Sequence, residues 1–329
     1  MYTTLTHYIA TAAAHPNIAF IKYWGNRDDT LYLPAHGSIS MNLGSLETQT
    51  RVEFDPALSA DSLIINDQLQ QGAALIRVQR FMDRVRVMGK TGYHARIESR
   101  SNFPISAGLA SSASGYAALA LAATSALGLY LSERELSGLA RLGSGSAARS
   151  VPAGFVEWHT GTTHAESFAE SIAPAEAWNL VDVIAVIQQG PKTTGSSHGH
   201  QLAETSPYQP CRVEGAPYRL GICRHALRER DFRMLAEIIE LDSLMMHAVM
   251  MTSTPALLYW HPLTLHILQL VLGWRVDGIE VCATVDAGAN PHLICTAGYA
   301  QDVKQRLLSI SGVESVLMSP AGGPARLLP

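Results

Sequence analysis

Phe103-Pro104-Ile105-Ser106-Ala107-Gly108-Leu109-Ala110-Ser111-Ser112-Ala113-Ser114-Gly115 is the segment on which the reading of this chain turns. A proline turn and a glycine lead into paired serines, and an alanine- and leucine-rich run follows. Small residues let the backbone come close to a ligand. The first N–H groups of a helix lack partners of their own, and the helix dipole is positive there. A phosphate fits such a site, although an ordinary capped helix after a loop uses the same residues. The run over 112–127 is apolar on every side, which predicts a buried helix.

Outward from it, residues 9–23 read as a strand that enters a site, and 48–54, 62–65 and 94–99 read as strands. Leu75, Val78, Phe81, Met82 and Val85 share one face of a helix over 73–87. Ser132-x-x-Glu135 is a capping box that opens the next helix, which ends near Gly143. Strands are predicted at 155–158 and 181–187. From 190 to 217 the chain is rich in glycine, proline, serine and threonine, as in a loop system or domain connection. Helices at 231–251, 262–274 and 300–310 follow, with strands at 280–284, 292–296 and 313–318. Strands mixed with helices, without regular βαβ alternation, predict an α+β protein of two domains meeting at a cleft.

Composition narrows the function classes. The 329 residues suffice for one large or two moderate domains. A hydrophobic content of 47% with 16% charged residues excludes bulk disorder. The net charge of −4, without a basic block, argues against nucleic acid as a partner. Apolar runs are interrupted before membrane-spanning length, as by the two histidines within 257–271. Residues 1–14 lack the basic and apolar regions of a signal peptide. Cys211, Cys223, Cys282 and Cys295 are scattered without metal-ligand spacing and read as reduced, buried thiols of a cytoplasmic protein.

Three motifs fail on context. Gly89-Lys90-Thr91 resembles the end of a P-loop, but Arg84 stands where the first glycine belongs and the preceding segment is helical. Gly195-x-Ser197-x-Gly199 matches a hydrolase nucleophile elbow, with Asp286 and His292 following in triad order. The elbow should join a strand directly to a helix, and loop residues intervene. His198 and His200 have no further ligands at recognisable metal spacing.

Four clusters remain. In Asn17-Ile18-Ala19-Phe20-Ile21-Lys22-Tyr23-Trp24-Gly25-Asn26-Arg27-Asp28, a lysine within an apolar strand is costly unless it meets an anion; a lysine snorkelling at a strand edge is the plainer reading. The second cluster is the serine-glycine segment over 106–115. In Gly143-Ser144-Gly145-Ser146-Ala147-Ala148-Arg149-Ser150, serines and an arginine suit a carboxylate or phosphate, or a helix end with a surface arginine. In Thr284-Val285-Asp286-Ala287-Gly288-Ala289-Asn290, an acid after an apolar strand faces a cleft as a base, or caps a turn.

In this order, NIAFIKYWGNRD, NFPISAGLASSASGYAALA, GSGSAARSVPAGFVEW and DAGAN resemble the motifs of the mevalonate diphosphate decarboxylase family. That family lies within the superfamily of galactokinase, homoserine kinase, mevalonate kinase and phosphomevalonate kinase. The resemblance extends from about residue 9 to residue 320. It implies a two-domain small-molecule-kinase-like α+β fold. Residues 1–189 would form an ATP-binding domain like ribosomal protein S5 domain 2. Residues 190–329 would form a ferredoxin-like domain, with the active-site cleft between the two. It also implies an ATP-dependent decarboxylase of isoprenoid biosynthesis that works with Mg²⁺ on a phosphorylated mevalonate, in the cytoplasm and as a homodimer.

Carried over on matching motifs, Asp286 would accept or orient the proton of the substrate 3-hydroxyl, with Lys22 beside it. Arg149 would hold the C1 carboxylate. Gly108, Ala110, Ser111 and Ser112 would cradle the ATP phosphates. Tyr23, Asn26, Ser144, Ser146 and Ser196 would lie toward the substrate's own phosphate end. No metal ligands are assigned. The chain departs from the family pattern where YWGK becomes Tyr23-Trp24-Gly25-Asn26, and where an arginine and a methionine of bacterial members become Ser197 and His200. Two cations near a diphosphate tail are thereby missing, which favours mevalonate 5-phosphate as substrate and isopentenyl phosphate as product. His198, His200 or Arg27 could restore the charge and with it the diphosphate substrate. A kinase that does not decarboxylate and a non-catalytic nucleotide-binding regulator are the other readings of the same scaffold.

Overall fold

A computed structural model describes residues 8–103, 111–187 and 194–329. Four sheets organise them. The first has six strands in the order Arg326–Leu328, Ile9–Ala14, Thr48–Asp55, His94–Ser101, Ser62–Ile65 and Gln68–Gln70. All of its pairings are antiparallel except that of Ser62–Ile65 with His94–Ser101. Helix Ser111–Ala126 packs on Ile9–Ala14 and Thr48–Asp55. The contact is close because both surfaces are built of alanine, Ala12, Ala14, Ala117, Ala118 and Ala122 being wholly buried. Helix Ala73–Gly89 adds Val78, Phe81, Met82 and Val85 to this core. Its left-handed cap, Lys90, is the residue of the apparent P-loop, so that motif is a helix end.

The second sheet runs Ala169–Ala173, Phe155–Trp158, Ser38–Asn42, Asn17–Ile21, all antiparallel. The third runs Val281–Val285, Pro291–Thr296, Leu180–Val186, Ser315–Pro320, again antiparallel. Asn26–Asp28 and Leu33–Pro34 form a two-stranded ribbon. Helix Phe232–Thr252 contacts both Asn17–Ile21 and Val281–Val285, and so bridges the second and third sheets. Helices Pro262–Val276 and Ala300–Leu308 cover the other face of the third sheet.

The single strand expected over 9–23 is divided at His15-Pro16, and its halves belong to different sheets. Proline has no N–H for a ladder and favours such a break. Residues 190–217 are not one long loop: Ser196–Leu202 and Gln209–Glu214 are short helices, the latter with Pro210 in its first turn, where a missing N–H costs nothing. The second sheet ends with Ala169–Ala173, the third begins with Leu180–Val186, and Arg326–Leu328 returns to pair with Ile9–Ala14. Cys223, Cys282 and Cys295 are buried as expected, but Cys211 is exposed on its short helix. Among the described residues no helix is long and apolar enough to cross a membrane.

Two histidines are built in between the sheets. His36 Nδ1 donates to the Gly37 carbonyl at 2.7 Å, and its Nε2 accepts from Arg212 Nη1 at 2.6 Å. His247 Nε2 donates to the Val285 carbonyl at 3.1 Å. Burial, joined by Arg212 at His36, pushes their pKa values down to about 3 for His36 and about 4 for His247. In the unfolded chain each takes up a proton near pH 6.5. Their contribution to stability is therefore complete above about pH 6.5 and is lost as the pH falls toward 4 and 3. Urea denaturation is expected to show stability lower at pH 5 than at pH 7 by on the order of 3 kcal/mol. An unchanged value would mean that both of these rings are charged in the fold.

Candidate active site

Lys22 directly follows a strand whose five residues are all buried, and is itself only 1% exposed. It sits at a sheet edge, but it does not snorkel to water. Its Nζ lies 2.6 Å from Asp286 Oδ1, in the turn after Val281–Val285. A buried ammonium is tolerable only with such a partner. Asp286 remains partly open to a cleft of about 460 Å³.

Arg149, 3% exposed, is not the surface arginine of a helix end. It stands in the short 3-10 turn Gly145–Ser150, where Nε donates to Asn17 Oδ1 at 3.2 Å and Nη1 to Ser38 Oγ at 2.5 Å. Burial lowers its pKa to about 10, with the Asp286 charge opposing, so it stays a cation at neutral pH. Among the described residues it forms no ion pair, which leaves a desolvated guanidinium facing the cleft. Planar bidentate anions such as carboxylates match that group.

The turn before Arg149 is shaped by two rings. A Cβ on Gly143 would lie 2.0 Å from Tyr116, and one on Gly145 would lie 2.6 Å from the Tyr23 hydroxyl. Tyr23 donates to Asn26 Oδ1, and Asn26 Nδ2 donates to Asp29 Oδ1 at 2.7 Å. Burial holds the Tyr23 hydroxyl well above its ordinary pKa, so it is a neutral donor. Ser112 and Ser144 face each other at 3.2 Å between hydroxyl oxygens. Ser196 reaches the cleft from helix Ser196–Leu202.

The cleft thus collects Lys22, Tyr23, Asn26, Ser111, Ser112, Ser144, Ser146, Arg149, Ser196 and Asp286 from both halves of the chain. Gly108 and Ala110, the remaining residues expected at the ATP phosphates, lie outside the described residues. The triad imagined around Ser197 does not form. His292 is bonded to Asp182 at 2.7 Å within the third sheet, and Asp286 is engaged by Lys22.

Sequence reading missed two contributors and offered a third, His200, as a replacement charge that it does not carry. Arg77 lines the cleft, with Nε and Nη2 both donating to the Gly143 carbonyl (3.2 and 2.7 Å), yet on its helix it resembles any surface arginine. Asn17 was quoted but given no task; it orients Arg149 and donates to Ser150 Oγ at 2.8 Å. His200 lies between Tyr23 and Trp24, ring centroids 4.1 and 4.6 Å away, and its Nδ1 accepts the Gly25 N–H at 3.0 Å. Burial, then Arg212 and Arg149, push its pKa down to about 3, so the ring is uncharged.

Comparison with known proteins identifies the family. Residues 14–169 match the diphosphomevalonate decarboxylase-like N-terminal domain, and residues 182–319 match the mevalonate 5-diphosphate decarboxylase C-terminal domain. The chain is 37% identical to a diphosphomevalonate decarboxylase of Ganoderma lucidum, over 92% of this chain and 82% of that protein. It is 32% identical to a phosphomevalonate decarboxylase of Haloferax volcanii, over 97% of each. Its fold superposes on mevalonate diphosphate decarboxylase from Staphylococcus aureus with a TM-score of 0.92 at 35% identity, covering 98% of each chain. A complex described as MDDEF with MVAPP, AMPPCP and magnesium gives a TM-score of 0.91 at 36% identity, covering 97% of this chain and 98% of that one. The expected two-domain kinase-like α+β fold is the one observed, and the chain belongs to the mevalonate diphosphate decarboxylase family.

Proposed function

We propose that this protein carries out ATP-dependent decarboxylation of mevalonate 5-phosphate, giving isopentenyl phosphate, ADP, phosphate and CO₂. The 3-hydroxyl oxygen attacks the γ-phosphorus of ATP, and ADP leaves. Phosphoryl transfer passes through a loose transition state, in which positioning and charge matter more than early proton removal. Asp286, paired with Lys22, accepts the hydroxyl's hydrogen bond and takes its proton as the new P–O bond forms. The C3–O bond then breaks with phosphate as leaving group. The electrons of the bond to the C1 carboxylate become the alkene as CO₂ departs. Arg149 holds that carboxylate, and its charge stays close to the negative charge carried toward C3.

Ser111, Ser112 and Arg77 line the cleft, and we assign them to the nucleotide's phosphates; Ser112 faces Ser144 and Arg77 holds the carbonyl of the adjacent Gly143. Among the described residues Asp286 is the one carboxylate lining the cleft. The donor set therefore fits a Mg²⁺ held by the nucleotide's own phosphates with help from the Ser112 hydroxyl, and such an ion would screen phosphate charge. Resemblance supports a cytoplasmic homodimer.

The neutrality of the substrate's phosphate end carries the monophosphate reading. The residues assigned to that end, Tyr23, Asn26, Ser144, Ser146, Ser196, Ser197 and His200, all line the cleft, and none of them is a cation. Of the three candidates to replace the family lysine, His200 is held uncharged. Arg27 and His198 do not line the cleft, and Arg27 reaches the Pro34 carbonyl at 3.5 Å. A diphosphate brings more charge than these donors balance.

Purified protein with ATP is expected to turn over mevalonate 5-phosphate faster than the 5-diphosphate, releasing CO₂ and ADP in equal amounts. Faster use of the diphosphate ends the monophosphate reading, and ADP without CO₂ marks a kinase. Asn26→Lys should raise kcat/KM for the diphosphate by roughly 10-fold or more, as one charged contact permits. Arg149→Gln should lower kcat/KM for the phosphorylated substrate by about 100-fold or more while calorimetric ATP affinity stays within about threefold. Equal loss of ATP binding would move Arg149 to the nucleotide.

A further inference from the structure

The peptide groups on either side of Lys22 are held by a charge cluster that lies outside the cleft. Asp242, on helix Phe232–Thr252, accepts the Lys22 N–H on Oδ2 at 2.6 Å. Arg212, on helix Gln209–Glu214, donates to the Lys22 carbonyl at 2.9 Å through Nη2, which is 3.3 Å from the same Asp242 oxygen. Arg219 Nε donates to Asp242 Oδ1 at 2.7 Å, and Arg219 Nη2 donates to the Arg212 carbonyl at 2.6 Å. His36 accepts from the other arm of Arg212. Asp242 and Arg212 are wholly buried and Arg219 is 3% exposed. The two arginines and the bonds Asp242 accepts hold its carboxyl below the ordinary range against burial.

Such a cluster gains little over a well-packed apolar core of the same volume, so stability alone is a poor reason for it. Its geometry supplies a better one. The next residue on the helix, Ser243, takes the Val285 N–H at 3.0 Å, and His247 one turn on donates to the Val285 carbonyl at 3.1 Å. One helix therefore grips the backbone at Lys22 with Asp242 and the backbone before Asp286 with Ser243 and His247.

We infer that Asp242, braced by Arg212, is a positioning residue: it fixes the Lys22 peptide, and helix Phe232–Thr252 thereby sets the spacing of the Lys22–Asp286 pair. This rests on the roles given to Lys22 and Asp286 above. Neither Asp242 nor Arg212 lines the cleft, so they act through Lys22 and not on the substrate. Misplacement of a reacting group by about 1 Å costs about 100-fold in rate, while substrate contacts elsewhere in the cleft are untouched. The signature is a fall in kcat at nearly constant KM.

The test compares Asp242→Asn with Ile239→Ala, a cavity variant of the same helix at a wholly buried apolar position. Asp242→Asn is expected to lower kcat roughly 10–100-fold with KM for ATP and for the phosphorylated substrate within about threefold. Ile239→Ala, with a comparable fall in melting temperature, is expected to keep kcat within about twofold. Arg212→Lys, which keeps the charge but cannot reach Lys22 and His36 together, should show a smaller loss of the same kind. It replaces Asp242→Asn in the comparison should that variant not fold. Wild-type kcat in the folded Asp242 or Arg212 variant, or an equal loss in Ile239→Ala, overturns the proposal. Lys22→Met separates the two layers. Full turnover in Lys22→Met removes the role of Lys22 and the clamp with it. An inactive Lys22→Met beside an active Asp242→Asn removes the clamp alone.

Discussion

An ammonium cannot be taken out of water without an anion at its side, and this molecule is assembled around that rule. Lys22 and Asp286 lie 264 positions apart in the chain and 2.6 Å apart in space. The second sheet must deliver the lysine, the third must deliver the acid, and helix Phe232–Thr252 must lie between them. The pair is useful because it is not sealed. Asp286 keeps a face toward the cleft, so the carboxylate that pairs with Lys22 is also presented to whatever the cleft holds.

Around that pair the cleft mixes charged and neutral groups. Arg149 is a buried cation left without a carboxylate among the described residues, while Lys22 is neutralised within the protein. The rest of the polar lining is hydroxyls, the amides of Asn17 and Asn26, the uncharged imidazole of His200 and the Arg77 guanidinium. Close packing maintains this lining. Gly143 and Gly145 are small because Tyr116 and Tyr23 lie against them, and Gly199 is small because Trp24 does, a Cβ there falling 2.5 Å from the indole. The same stack of Tyr23, His200 and Trp24 keeps the imidazole too dry to ionise.

Much of the fold was legible where one periodicity held. Val78, Phe81, Met82 and Val85 marked their helix face, and Ser132 with Glu135 formed the capping box they announced. Segments without a period were not legible. The helices at 196–202 and 209–214 are too short to show an amphipathic stripe, and their glycines, serines and proline suit helix starts as well as loops. At the site, residues embedded in compact motifs were found, whereas Arg77 carried no local mark. Asp242 did carry one: it sits on the buried stripe of Leu235, Ile238, Ile239 and Met246, where an acid has no business without partners.

The sequence alone determined the family and most of the candidate residues that line the cleft. A lysine in an apolar strand, serines and an arginine between glycines, and an acid after an apolar strand are local statements, each readable within about ten residues. Only the tertiary structure decided that Lys22 meets Asp286 and that His292 instead meets Asp182. It alone decided that His200 is neutral and that Asp242 and Arg212 hold the lysine's backbone from outside the cleft. Those facts depend on desolvation and on contacts between residues far apart in the chain, and neither is a property of any short stretch of it.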